Sequence, residues 1–192
     1  AQSGQPDRLV FARDGVFISI ARAWTPQTNR WYHLAVTRTG GSFRLYVDGQ
    51  QLGAPEADAN PINDVSGPVH IGDYYHGQYY LNGMVDEVVV FQRALAASEL
   101  AALHAAGSAG MVPPACVPPP AATVGWWPGN NHASDLVGGQ NGVLQGATTF
   151  APGKVGQAFQ FNGGTDSVLV APPLVRLTNQ FTIAAWINPA TH

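Results

Sequence analysis

Apolar residues in this chain come in short bursts of β-branched and aromatic side chains, each cut off after a few positions by Gly, Asn, Asp or Pro. RLVFA (8–12), VFISIA (16–21), WYHLAVTR (31–38), FRLYVDG (43–49), VHIG (69–72) and MVDEVVVF (84–91) are followed, past position 122, by TVGWWPG (123–129), GVLQGATTF (142–150), QAFQFNG (157–163), DSVLVA (166–171) and FTIAAWINP (181–189). Side chains branched or aromatic at Cβ fit a pleated, half-buried surface, so the pattern restricts the chain to short strands joined by tight turns. In FRLYVDG, Phe43, Leu45 and Val47 alternate with Arg44 and Tyr46, and Asp48-Gly49 predicts a hairpin turn at positive φ. Composition agrees: 22 Gly, 15 Pro, 11% charged and 45% apolar residues suit many turns around a real core and oppose disorder. Only RALAASELAALHAAG (93–107) changes period, with Leu95, Leu100 and Leu103 on one helical face, Ser98 as a cap and Gly107 as a stop.

The net charge of −3, with no Lys/Arg run, leaves no electrostatic footprint for nucleic acid or an anionic membrane surface. No stretch reaches the roughly 18 apolar residues of a membrane span, and AQSGQPDR lacks the layout of a signal peptide, as in a mature chain or an excised fragment. The expected partners therefore include no nucleic acid and no membrane. Cys116 is the only cysteine, so the fold cannot rest on internal disulfides; the thiol is a bystander or an intermolecular link. It lies in SAGMVPPACVPPPAA (108–122), a Pro-rich stretch read as an extended linker that could span about 45 Å at ~3.1 Å per residue.

Together the blocks resemble the laminin G-like modules of the concanavalin A-like superfamily, which are two-sheet antiparallel jelly-roll sandwiches of secreted and cell-surface proteins. Such a module opens like VGWWPGNN and ASDLVGGQNGVLQGA, continues like GKVGQAFQFNGGTDSVLV and FTIAAWINP, then like NRWYHLAVTRTGGSFRLYVDGQ, and closes like LNGMVDEVVVFQRALAASELAAL. The resemblance implies an all-β jelly roll with one short helix. It also implies an inverted order, because residues 1–107 correspond to the closing half and residues 123–192 to the opening half. Either half alone would leave unpaired strand edges and a one-sided core, so the halves must meet. They meet within one chain, as a circular permutant and monomer, or between chains, as a swapped homo-oligomer; the high effective concentration of a tethered partner favours the first.

Catalysis finds little support in the residues. Glycoside hydrolysis needs two carboxyls about 5 to 9.5 Å apart, and the adjacent acidic pair, Asp86-Glu87, should point to opposite faces of a strand. No GxSxG elbow is present, and His33 in WYHLAVT reads as an ordinary strand residue. The spacing His70-x2-Asp73-x2-His76 suits a transition metal only if the strand end curls. The resemblance implies instead a structural calcium where the last family strand passes the first, which nominates Asp86, Asn162, Gly163, Asn130 and Asp166.

GDYYHGQYYLNG (72–83) packs four tyrosines and a histidine into twelve positions. Alternation sends about half of the rings inward and half to the surface. A surface Tyr suits sugar binding, because its flat face meets the C–H side of a pyranose while its hydroxyl hydrogen-bonds. Tyr74, Tyr75, His76, Tyr79 and Asp73 are therefore candidate ligand residues, with Trp24 as a further platform, whereas Trp31, Trp126, Trp127 and Trp186 read as core. The expected function, by analogy of fold, is a non-catalytic module of a larger secreted protein that binds carbohydrate or a glycosylated surface, extracellular or at the cell surface. A polysaccharide hydrolase or lyase and a ligand-free spacer are the alternatives.

Overall fold

A computed structural model describes residues 7–13, 17–62, 68–74, 79–109, 121–171 and 179–191. In chain order the strands are β1 (Arg8–Arg13), β2 (Phe17–Ala23), β3 (Tyr32–Thr39), β4 (Ser42–Val47), β5 (Gln50–Gln51), β6 (Glu56–Ala57), β7 (Val69–Ile71), β8 (Asp73–Tyr74), β9 (Tyr79–Tyr80) and β10 (Asn82–Phe91). Helix α1 (Ala97–Ala106) follows, then β11 (Thr123–Trp127), β12 (Gly142–Gln145), β13 (Thr149–Pro152), β14 (Gln157–Asn162), β15 (Ser167–Val170) and β16 (Phe181–Pro189). Among the described residues no helix is long and apolar enough to cross a membrane.

One large antiparallel sheet runs β13-β14-β10-β16-β3-β4-β5, with β11 also on β10 and β6 also on β4. Its inner face carries Val85, Val88, Val90, Trp127, Phe159 and Phe161, which pack with Ile71, Val168 and Val170 of a second, three-stranded sheet, β12-β15-β7. The β1-β2 ribbon covers the rest of that face, placing Ile20 with Val36, Phe43, Leu45 and Phe181. The outer face of the large sheet gathers Ala35, Tyr46, Val89, Phe91, Trp126 and Ala184 under Leu95 and Leu100 of the helical segment. The result is a two-layered sandwich with a helix on its back.

Strands from both sides of position 110 interleave. β10 bonds β16 along one edge and divides the other between β14 (at 82–85) and β11 (at 88–91), while β16 bonds β3 and β15 bonds β7. The predicted Asp48-Gly49 turn is present, with φ of 51° and 75°. A Cβ on Gly49 would lie 3.0 Å from Ala101 Cα, so this turn needs glycine for its φ and for its approach to α1.

The helix departs from expectation at its start. Ala96, not Ser98, is the N-cap residue. Glu99, three positions on, supplies the missing acceptor: its carboxylate takes the Ala96 N–H at 2.8 Å and is gripped by Arg93 at 2.6 and 2.9 Å. The Arg93 hydrogen bond, then the Ala96 amide, pull the Glu99 carboxyl down to about 2. Arg93 Nε also donates to Ala121 O at 3.1 Å, tying the helix entry to the chain that leads into β11.

Candidate ligand-binding site

On β7, Ile71 is buried and Val69 packs beside it, so alternation turns His70 outward, in a row with Leu169 of β15 and Val143 of β12. The chain then turns at Gly72, whose φ is 95° and whose position would set a Cβ 2.7 Å from the Phe161 ring. Only glycine can rest there on the core. Leu81 N donates to Gly72 O at 2.8 Å, closing the root of a small hairpin in which Asp73 faces Tyr80 and Tyr74 faces Tyr79. Tyr74 is 47% exposed and Tyr79 63%, with ring centroids 6.1 Å apart at 41°. Tyr80 is half-buried. Tyr75 and His76 lie outside the described residues.

Near the root of this hairpin, Nδ1 of His70 lies 3.0 Å from both carboxylate oxygens of Asp73, whose side chain is 2% exposed against 28% for the histidine. The expected metal spacing thus becomes a His–Asp pair in which the two residues bind each other. No group of three or more His, Cys, Asp or Glu among the described residues could hold a metal ion. Trp24 is half-buried and meets Tyr32 edge-on at 5.1 Å. Its loop reaches the end of the large sheet where the tyrosine hairpin is rooted: Asn29 N donates to Pro189 O at 2.7 Å, and Ala190 N to Asn82 O at 2.8 Å. Trp126, Trp127 and Trp186 are buried and Trp31 is half-buried.

A second cluster lies under the helix. Asp86 and Glu87 do not point to opposite faces, because β10 is bulged between Asp86 and Val89 and Glu87 takes φ 54°. The extra residue brings both acids to the outer face. Asp86 Oδ2 accepts Val155 N at 2.8 Å, and Glu87 Oε2 accepts the Trp126 indole N–H at 2.8 Å. Burial pushes the Asp86 carboxyl up to about 6 against the pull of the Val155, Lys154 and Glu87 amides. Burial, then the charge of Asp86, pushes Glu87 up to about 7. Across the sheet, Asp86 aligns with Trp186 and His33. Trp186 lies under Lys154 Nζ (4.6 Å) and beside His33 (5.2 Å) and His104 (5.5 Å). Burial, then His104, pull the His33 ring down to about 4. Sequence reasoning missed this cluster because no Gly or Asn at 87 signals the positive φ. Both acids are buried, at 0% and 5% exposure, and each holds a neighbouring N–H.

A family model of the laminin G type, described as the concanavalin A-like lectin/glucanases superfamily, matches residues 3–101, just over half of the 192. The chain belongs to this superfamily. The match includes the tyrosine hairpin and the Asp86-Glu87 bulge. No curated protein and no solved structure matches the chain.

The five residues nominated for calcium in this concanavalin A-like module fall into two groups. Asp86 and Asn130 converge on the 153–157 loop, where Asn130 Oδ1 accepts Gln157 N at 2.8 Å. Asn162, Gly163 and Asp166 sit near Asn82, four residues away along β10, which is about 13 Å of strand. Asp166 spends its oxygens on Ala147 N (2.7 Å) and Asn162 N (2.9 Å), and Asn162 Oδ1 takes Gly164 N at 2.7 Å. Asp86 Oδ1 is buried without a hydrogen bond, but the amides of Lys154 and Val155 flank its carboxylate. A cation wants six to eight oxygens turned toward it. Here N–H groups hold that place, so as placed the five residues do not fit one calcium cage.

Proposed function

We propose that this module is a non-catalytic glycan-binding domain of a secreted or cell-surface protein, with Tyr74 and Tyr79 as the platform that meets the sugar. The observation that carries this reading is the exposure of two adjacent rings on a hairpin whose root is fixed by Gly72 and Leu81. Rings that served only packing would be covered, whereas a sugar needs apolar faces open to water with polar groups beside them. A cavity of about 160 Å³ between β1 and the large sheet is lined by apolar residues such as Leu9, Phe11, Leu34 and Val36 and offers nothing to orient a hydroxyl.

A spacer without ligand has no use for the open tyrosine pair. A hydrolase needs two carboxyls that reach one bond, and the nearest pair in sequence is committed to a backbone amide and an indole. Localisation outside the cell rests on the superfamily resemblance. A glycan array followed by calorimetry tests the proposal. Tyr79→Ala should weaken binding about three- to tenfold, the worth of one stacked ring, while the melting temperature stays within about 2 °C of wild type. Equal binding by wild type and Tyr79→Ala would remove the hairpin from the site.

A further inference from the structure

We propose that Asn162, at the end of β14, is a self-modifying site at which the chain's own backbone converts the side-chain amide to a mixture of aspartate and isoaspartate. The sequence holds three Asn-Gly pairs, at 82–83, 141–142 and 162–163. Such pairs can react because glycine has no side chain to shield its backbone nitrogen or to bar the turn that aims it at the preceding amide. Hydroxide takes the glycine N–H proton, and the nitrogen attacks Cγ of the asparagine. The Cγ–Nδ2 bond then breaks, Nδ2 leaves as ammonia, and a cyclic succinimide remains. Water opens that ring at either carbonyl. One water enters and one ammonia leaves, with no oxidant or reductant.

The fold decides which pair reacts. Gly83 is buried within β10, opposite Phe161 on one side and Pro189 on the other, so its nitrogen cannot turn toward Asn82 without parting the sheet. Gly142 N is spent on Ala133 O at 2.7 Å, and Gly142 is paired with Val170. Gly163 N, by contrast, has no hydrogen-bond partner among the described residues. Asn162, Gly163 and Gly164 are all exposed, so hydroxide and water reach them.

The Asn162 carbonyl is also set for attack. Its Oδ1 accepts Gly164 N at 2.7 Å, which draws the side chain across Gly163 and puts an N–H donor where negative charge develops. Asp166 holds Asn162 N at 2.9 Å, and Gly163 takes φ 78°, which glycine adopts without strain. Asn141 has a comparable donor, Asp135 N at 3.0 Å, so the freedom of the glycine nitrogen is what separates these two pairs. Either product adds a carboxylate to the turn that Asp166 anchors. Isoaspartate also lengthens the backbone by one methylene, directly after the residue that faces Asn82 beside the root of the tyrosine hairpin.

The test is incubation of the whole chain at mildly alkaline pH, then digestion and mass spectrometry of the three Asn-Gly peptides, with a sample unfolded in urea alongside. In the folded chain the Asn162 peptide should gain about one mass unit and split into aspartate and isoaspartate forms, at least about tenfold faster than the other two. Urea should bring the three rates within about threefold of one another, since the fold alone distinguishes them. Asn162→Gln, which keeps an amide but must close a larger ring, should abolish the gain. An Asn162 peptide that stays intact while the unfolded sample converts, or conversion at Asn82 or Asn141 as fast as at Asn162 in the folded chain, overturns the proposal.

Discussion

Four buried or half-buried aspartates, Asp48, Asp86, Asp135 and Asp166, accept backbone N–H groups at turns or strand breaks. Asp48 takes His33 N, Asp86 takes Val155 N, and Asp166 takes Ala147 N and Asn162 N. Asp135 goes furthest, accepting Trp126 N at 2.9 Å, Val137 N at 3.0 Å and Gln140 N at 3.1 Å, and so fixes the loop that leaves β11. Removing it would leave three amides unpaired, each costing about 1 to 3 kcal/mol where water cannot reach. Asp135→Ala should therefore lower the melting temperature by roughly 5 to 10 °C in calorimetry, and Asp135→Asn by less, since one oxygen survives. A shift under about 2 °C would mean that solvent already serves those amides. The residue scale is also where the sequence is least legible. A carboxylate looks the same on paper whether it will hold a cation or three amides, so Asp86 and Asp166 read as calcium ligands and Asp135 as nothing in particular. The runs that form strands are legible because their signal repeats every second residue along a whole segment, as in Phe43, Leu45 and Val47, whereas a turn acceptor leaves no periodic trace.

Among the elements, β10 carries the main tension. It is buried nearly throughout, yet it holds two adjacent acids at the point where β14 and β11 divide its edge, and the bulge that turns both outward puts Glu87 at positive φ. The groups around them are His33 and Trp186 on neighbouring strands, His104 on the helix, Asp48 beside His33, and Lys154 in the 153–156 loop. Their titrations pull in opposite directions. Glu87, raised from 4.5 to about 7, and Asp86, raised from 3.8 to about 6, favour the fold fully at low pH, and that contribution is lost as pH rises through these values. His33, lowered from 6.5 to about 4, resists protonation in the fold, so its contribution is present at high pH and lost as pH falls through that window. Glu87→Gln keeps the acceptor for the Trp126 indole and removes the charge. Denaturant midpoints should show this variant gaining on wild type as pH rises from about 4.5 to 7, with a plateau above. A difference independent of pH over that range would mean that Glu87 is ionised in the fold without penalty.

At the scale of the molecule, the family match and the strand pairing pose a sharp question. The match spans residues 3–101 and ends inside the helix, which suggests that the first segment could stand alone. The sheet says otherwise. In the order β13-β14-β10-β16-β3-β4-β5, β10 finds both neighbours in residues 123–192, and β3 is joined to β10 only through β16. Without that second segment the inner face would lose Trp127, Phe159, Phe161, Val168, Val170 and Phe181, and β10 would become a long apolar strand with two open edges. The second segment alone fares no better, since β16 would lack both partners. The tether favours closure within one chain, and the Arg93–Ala121 and Gln92–Ala122 contacts hold residues 121–122 beside the end of β10, next to which β11 pairs. Residues 1–107 and 123–192 made as separate chains should each lack a cooperative thermal transition and near-ultraviolet dichroism, then regain both on equimolar mixing, while the intact chain scatters light as a monomer at micromolar concentration. A cooperative transition from 1–107 alone would show that the matched region is autonomous and that the interleaved sheet is not what holds it together.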